Sequence, residues 1–356
     1  MLDVVRERAP VFSPRRDPPP PGNLLIRYIT AHAKAFIGRM PVEAVAQEWW
    51  PDDQAFGMLV RATSTPAQLS QAGWAQELGR RVVNDALGVL FPASASAALF
   101  KISPSLTFAN EAAIAVPGFA TGTSGRTSNF VAERQPIPVF QPAVSGATLL
   151  PYKLAGIVVA TREMIESSNA EALITDLVVQ AFGRSLDEVL FDSNPAQAMR
   201  PAGLRYGVAA ITPTATASDA WGNFISDVSK LADAVAPVAG NAPIAFIGSA
   251  GRAMRARILG LDDEEGVNVY GSNAVINDFL CVATAALVSA VGVPDVEVNK
   301  VATVTLDDAP ANDPTTPVSP FRSLWQTDAF GIKCRWPISW TIRDSRGFAW
   351  MTPTGW

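Results

Sequence analysis

The stretch from Ser168 to Phe191, Ser-Asn-Ala-Glu-Ala-Leu-Ile-Thr-Asp-Leu-Val-Val-Gln-Ala-Phe-Gly-Arg-Ser-Leu-Asp-Glu-Val-Leu-Phe, constrains the fold more than any other. Ser168 and Glu171 have the spacing of a capping box, each side chain reaching the other's backbone N–H. At 100° per residue, Leu173, Ile174, Leu177, Val178, Ala181, Phe182 and Val189 fall on one arc. Asp176, Gln180, Arg184 and Asp187 fall on the opposite one, and Arg184 is one turn from Asp187 and Glu188. Asn194-Pro195 stops the helix, because the residue before proline avoids the α region. The result is a helix roughly 33 Å long, which by itself reads as an ordinary core helix.

Composition narrows what surrounds it. A chain of 356 residues can bury a large core in two or more packed units. Hydrophobic residues make up 48% and charged ones 17%, against about 25% charged in a typical soluble domain. Such a surface is expected to be covered by other subunits. Membrane insertion is a poor alternative: the longest uncharged apolar run, Phe279 to Val293, is shorter than the roughly 20 residues that span a bilayer. The first residues carry Asp3, Arg6, Glu7 and Arg8 and show no signal-peptide core. A net charge of −5 argues against a dedicated nucleic-acid binder. Cys281 and Cys334 lie in apolar stretches and read as reduced, buried thiols of a protein made in the cytoplasm.

Taken in order, residues 1–22 contain Pro18-Pro19-Pro20-Pro21, which favours an extended polyproline conformation and reads as an arm or leader. Residues 23–89 read as helical. Asn23 caps a helix to Ile37 with Leu25, Ile29, Ala33 and Phe36 on one face, and Gly38 suits its end. Pro41 opens a second helix ending near Trp49, and a third is expected from Pro66 to Ala86. From Leu90 to Leu150 the texture is strand and loop, with a glycine-rich tip at Pro117 to Arg126 that lacks the Lys-Ser/Thr ending of a phosphate-binding loop. Two arms of about 15 to 20 residues would reach roughly 50 to 65 Å, and so long a hairpin must lie on something. Residues 208–318 read as a separate α/β unit. Its parts are a helix from Ser218 or Asp219 to Val235, a buried strand at Pro243 to Gly248, and a helix capped by Ser249 and ending at Gly260. The carboxylates Asp262, Asp263, Glu264 and Glu265 read as a solvated turn, since they lack the alternation of a calcium loop. In the tail, Ile332, Cys334, Trp336, Trp340 and Ile342 alternate, predicting antiparallel strands that turn at Ser345 to Gly347.

The flanks of the long helix carry more information than the helix. Leu150 to Ser168 reads as a strand running through Thr161-Arg162-Glu163 into the helix, and Pro201-Ala202-Gly203-Leu204 follows it. This order resembles the central signature of tailed-bacteriophage major capsid proteins of the Hong Kong 97 type, from about Trp74 to Trp356. Phe130-Val131-Ala132-Glu133-Arg134 is similar to the family's aromatic-Val-x-Glu element, with Phe130 and Arg134 where the family usually has Trp and Gly. Trp325-Gln326-Thr327-Asp328 and the terminal aromatic strand resemble the family's C-terminus, which returns to the spine-helix domain.

The resemblance implies an α+β fold. Its parts would be an N-terminal arm (1–22), a helical region (23–89), a P domain (90–108, 151–207 with the spine helix, and the strands of 319–356), an E-loop hairpin (109–150) and an A domain (208–318). It implies a major capsid protein that assembles with itself, as pentamers and hexamers, into an icosahedral head around double-stranded DNA contacted non-specifically. Scaffold, portal and cementing proteins are possible further partners, no membrane is involved, and the head would be built in the host cytoplasm and reside in the virion. Subunit contacts are expected from Arg126, Phe130, Glu133, Arg134, Asp187, Glu188, Asp262 and Asp263.

The alternatives are a nanocompartment shell of the encapsulin type and, from a different class, a carboxylate hydrolase. A Ser–His or Cys–His centre could use only His32, which has no second ligand or nucleophile elbow near it. Cys-x-x-Cys and His-x-x-x-His spacings are absent, and Glu163 with Glu166 reads as a surface pair. The expectation is therefore no enzyme, no cofactor and no metal.

Some family members link neighbouring subunits through an E-loop lysine and an asparagine. Here no lysine lies between Lys101 and Lys153, and the guanidinium groups of Arg126 and Arg134 are poor nucleophiles. Particles boiled in detergent should therefore run as a single band near the 37.7 kDa chain mass. A reductant-resistant ladder of oligomers would overturn this expectation.

Overall fold

The computed structural model describes residues 24–53, 56–57, 60, 87–88, 90, 92–108, 113–119, 131, 133–134, 144–163, 170–214, 219–261, 266–299, 303–305 and 321–356. In chain order the elements are α1 (Leu24–Gly38), α2 (Val42–Trp49), α3 (Ala95–Ile102), β1 (Ser105–Thr107), β2 (Ile114–Phe119), β3 (Val144–Leu149), β4 (Tyr152–Thr161) and α4 (Ala170–Leu190). There follow α5 (Ala220–Ala239), β5 (Ile244–Gly248), α6 (Ala250–Ile258), β6 (Val267–Gly271), β7 (Phe279–Ala283), β8 (Leu287–Val291), β9 (Asp295–Asn299) and β10 (Thr303–Thr305). The chain ends with β11 (Phe321–Ser323), β12 (Ala329–Ile342), a 3-10 turn (Ser345–Gly347) and β13 (Phe348–Met351).

Strand β12 organises the first sheet. Along one edge it pairs antiparallel with β4, from Ala329↔Thr161 to Ile338↔Tyr152. Along the other it pairs with β9 at Gly331 to Arg335 and with β8 at Ile338 to Ile342, and β8 in turn pairs parallel with β1. The alternation expected in the tail is present: Ile332, Cys334, Trp336, Ile338 and Trp340 all point into the main core. The second sheet has the order β13-β7-β5-β6. One of its faces, with Ala245, Ile247, Leu280, Val282 and Phe348, joins that same core beside residues of α1, α3 and α4. The other face, with Phe246, Phe279, Cys281 and Ala283, is covered by α5 and α6.

The apolar run from Phe279 to Val293 is thus two strands in two sheets, β7 and β8, joined at Thr284 to Ala286. The run is unbroken because both strands are covered on both faces. The partition differs from the expected boundaries. Strands β8 and β9 fall within 208–318 yet hydrogen-bond into the sheet of β4 and β12. Strand β13, expected to return to the spine-helix domain, pairs instead with β7 in the second sheet.

Other differences are local. Helix α3 occupies a region read as strand and loop; Ser94 caps it, its Oγ accepting from Ala97 N at 3.2 Å. Pro117 to Phe119, read as part of the loop tip, pair in β2 with Gly146 to Val144. Helix α1 runs through Gly38, and the left-handed residue is Arg39 at φ 51°. Pro41 sits one residue before α2. The Ser168 cap, the helix expected at Pro66 to Ala86 and the rest of the loop tip up to Phe130 lie outside the described residues. The helix at Ala220, the strand at Ile244 and the helix at Ala250 are where they were expected, capped by Asp219 and Ser249.

The spine helix α4 is gripped on two flanks. The Phe182 ring lies against Gly156 of β4, and Leu186, Leu190 and Phe191 enter the core. The other flank corrects the expected polar arc: Asp187 is 3% exposed, whereas Ala181, expected inside, is exposed. Asp187 Oδ1 accepts from Ser94 Oγ at 2.6 Å and Ser96 N at 3.0 Å, and Oδ2 accepts from Ala95 N at 3.1 Å and Ser272 Oγ at 2.6 Å. It takes up first-turn N–H groups of α3 that have no partner within that helix, at the positive end of the helix dipole. Beyond the helix the chain folds back: Leu204 N donates to Leu190 O at 2.8 Å and Arg205 Nε to Phe191 O at 2.7 Å. Gly203 permits this, because a Cβ there would overlap the carboxylate and carbonyl of Asp192.

Replacing Asp187 by alanine would leave two hydroxyls and two backbone N–H groups of the core without their acceptor. Asp187→Ala should lower the stability of the isolated subunit by at least about 3 kcal/mol, read as a shifted urea midpoint. Arg184→Ala, which removes only the exposed partner of Glu188, should leave the midpoint nearly unchanged.

Candidate assembly surfaces

Helices α5 and α6 form an outer layer. Phe224, Leu231, Val235 and Ala239 of α5 and Ala253 and Ala256 of α6 face the second sheet. Apolar pairs one helical turn apart lie outside these packed faces, at the flank of α5, where Trp221 stacks on Phe224, and on the far side of α6. These are Trp221 and Ile225, 48% and 46% exposed, and Met254 and Ile258, 57% and 74% exposed. Ile276, between β6 and β7, and Met199 and Tyr206, in the loop after α4, are also exposed. Contiguous exposed apolar surface marks interaction sites, and these side chains are the candidates for it among the described residues. None was singled out from the sequence. The i, i+4 repeat of a second apolar stripe on each helix was the available signal.

The expected contact residues are dispersed. Glu133 and Arg134 are exposed, and Arg134 has a left-handed backbone at φ 65°. Glu188 is exposed and accepts from Arg184 Nε at 2.8 Å. Asp187, one residue away, is the buried joint, so both its oxygens are engaged within the chain. Arg126, Phe130, Asp262 and Asp263 lie outside the described residues.

The base of the β2–β3 hairpin is anchored. Val116 and Leu149 pack with Phe108 against Val288 and Ala290, on the side of β8 turned away from the main core. On the exposed surface of β9 and β12, Lys333 and Arg335 pair with Asp295 and Glu297. Such exposed pairs contribute little to stability.

The reactive side chains are dispersed too. His32 lies against Tyr28 with ring centroids 4.3 Å apart and the ring planes tilted by 58°, and its Nε2 is buried without a hydrogen-bond partner among the described residues. Burial pushes its pKa below the ordinary histidine value, against the opposing charges of Glu43 and Asp295. The neutral ring therefore supports the fold above the unfolded pKa, and that support is lost as pH falls through the lowered value. Burial likewise raises both thiols, Cys334 to about 11 and Cys281 further. They lie in different sheets as free cysteines. Among the described residues no three His, Cys, Asp or Glu side chains are placed to hold a metal ion, and no helix is long and apolar enough to cross a membrane.

A sequence profile of the phage capsid family matches residues 98–274. The chain is 28% identical over 262 residues to a capsid polyprotein of Pseudomonas phage PAJU2, an alignment covering 66% of this chain and 38% of that one. The chain thus spans well under half the length of that polyprotein. Among solved structures, one from Mycobacterium phage Bobi aligns with a TM-score of 0.50 at 18% identity, over 74% of this chain and 91% of that one. One from Microbacterium phage Oxtober96 aligns with a TM-score of 0.48 at 17% identity, over the same shares. With the sheet order, the spine helix and the hairpin base described above, the alignment with the phage Bobi structure shows that the chain has a Hong Kong 97-type fold, and over residues 98–274 its sequence is similar to the phage capsid family.

Proposed function

We propose that the chain is the major capsid protein of a tailed phage, forming pentamers and hexamers of an icosahedral head around double-stranded DNA. The observation that carries this reading, beyond the similarity to the phage capsid family, is the outer helical layer with its exposed Trp221, Ile225, Met254 and Ile258. A low charge content leaves such surface to be covered by further copies of the chain. Arg126, Glu133 and Arg134 of the hairpin, Glu188 on the spine helix, and Asp262 and Asp263 supply polar contacts at the rims of these interfaces, and the Phe130 ring adds an apolar one. The work done is mechanical, with no catalytic step. Mild acidity keeps the inner wall from gripping packaged DNA. Scaffold, portal and cementing proteins complete the particle, which assembles in the host cytoplasm and persists as the virion.

Electron microscopy of the purified protein tests this reading. Closed icosahedral particles, holding nuclease-protected DNA when recovered from infected cells, are expected. A monodisperse monomer at all concentrations would contradict the proposal, and particles that never protect DNA would contradict the genome-enclosing part of it.

A further inference from the structure

The last four residues, Pro353-Thr354-Gly355-Trp356, follow β13 but take no part in strand pairing. Side chains of the outer layer hold them instead. The Trp356 indole stands edge-on to Phe224 of α5 and to Phe279 of β7, with ring centroids 4.9 and 5.1 Å apart. Its Nε1 donates to Asp227 Oδ2 at 3.0 Å. From α6, the Arg252 guanidinium lies 5.5 Å from the ring centre, and Nη2 donates to Pro353 O at 3.2 Å. A side chain at position 355 would come within 2.6 Å of Asn223 Nδ2, so the cleft admits glycine there.

The receptor side is built from buried groups. Asp227 is 0% exposed and Asn223 is 3% exposed. Asp227 Oδ1 accepts from Thr214 N at 2.7 Å and has Lys230 Nζ 3.9 Å away. Oδ2 is engaged by the tail indole. Arg252 Nη1 is buried with no hydrogen-bond partner among the described residues. A buried carboxylate, an aromatic slot and a guanidinium that reads a backbone carbonyl form a recognition site for a small residue followed by tryptophan.

We propose that the cleft between α5 and α6 is a peptide-binding site, occupied in cis by the chain's own Pro353 to Trp356 and able to take the same sequence in trans. Recognition is by side chains, not by sheet hydrogen bonds, so it is separable from β13. Thr352 Oγ1, bonded to Asp278 Oδ1 at 2.6 Å, ties down the segment before it. The tail bridges the two helices and so fixes the spacing of the apolar pairs they present. This inference does not rest on the shell reading.

The test uses a chain ending at Thr352 and a fluorescein-labelled acetyl-Pro-Thr-Gly-Trp peptide, followed by anisotropy. Saturable binding to the truncated chain is expected, with none to the intact chain. A peptide with alanine in place of the tryptophan should bind at least about tenfold more weakly. Absence of binding to a truncated chain that still melts cooperatively would overturn the proposal, as would equal binding to the intact chain. Should truncation prevent folding, unlabelled peptide present during refolding should restore a cooperative melt, and failure to do so counts against the site. Full-length Trp356→Ala gives a second receptor: N-acetyl-tryptophanamide should raise its melting temperature and not that of the unaltered chain. Equal shifts in the two would also overturn the site.

Discussion

The Asp187 carboxylate is the interaction on which the arrangement depends. A buried anion is tolerated only when its lone pairs are filled by well-placed donors. Here the donors come from the start of α3 and from Ser272, just beyond β6, while the anion comes from the spine helix. The two serines extend the network, each accepting a backbone N–H as well as donating to Asp187. Three elements far apart in sequence must therefore be in place together, or each leaves a buried polar group unpaired. Hydrophobic burial supplies most of the stability, but it is non-directional. The carboxylate fixes how far along its axis the spine helix sits against its neighbours.

Indole N–H groups from the C-terminal strands play a similar positioning part. Trp336 donates to Gly292 O, Trp340 to Ala202 O and Trp350 to Val208 O, at 2.8 to 2.9 Å. Two of these acceptors lie in the segment that follows the spine helix. The large rings contribute buried area, and their single donors select which backbone carbonyl each ring abuts.

Much of this was legible in the sequence, for reasons that differ by element. The period of two in β12 and the caps at Asp219 and Ser249 are local signals, and they appear where local rules put them. Helix α3 was missed because Ala95 to Ala98 are small and show neither period; only Ser94 signalled its start. The spine-helix face was misassigned because periodicity arguments place charge outside. That rule fails at Asp187, where a neighbouring helix end supplies the compensation, and no local pattern can show that. The division of Phe279 to Val293 between two sheets was hidden for a related reason. A strand buried on both faces loses the alternation that would mark its boundaries and partners. The apolar pairs on α5 and α6 were not legible either, because they needed the packed face of each helix to be known.

The crossing from β7 to β8 takes three residues, Thr284 to Ala286. Thr284 is pinned at both N and Oγ1 to Pro243 O, and Ala286 O accepts from Arg343 N. So short and tethered a connection has little slack to act as a hinge. A push on the outer helices is carried through β7 directly into β8 and β12, so the two sheets respond to load as one body. In the proposed shell, a change of curvature between copies is then expected at the margins of that body, where the β2–β3 ribbon leaves it, while the joined sheets keep their internal geometry.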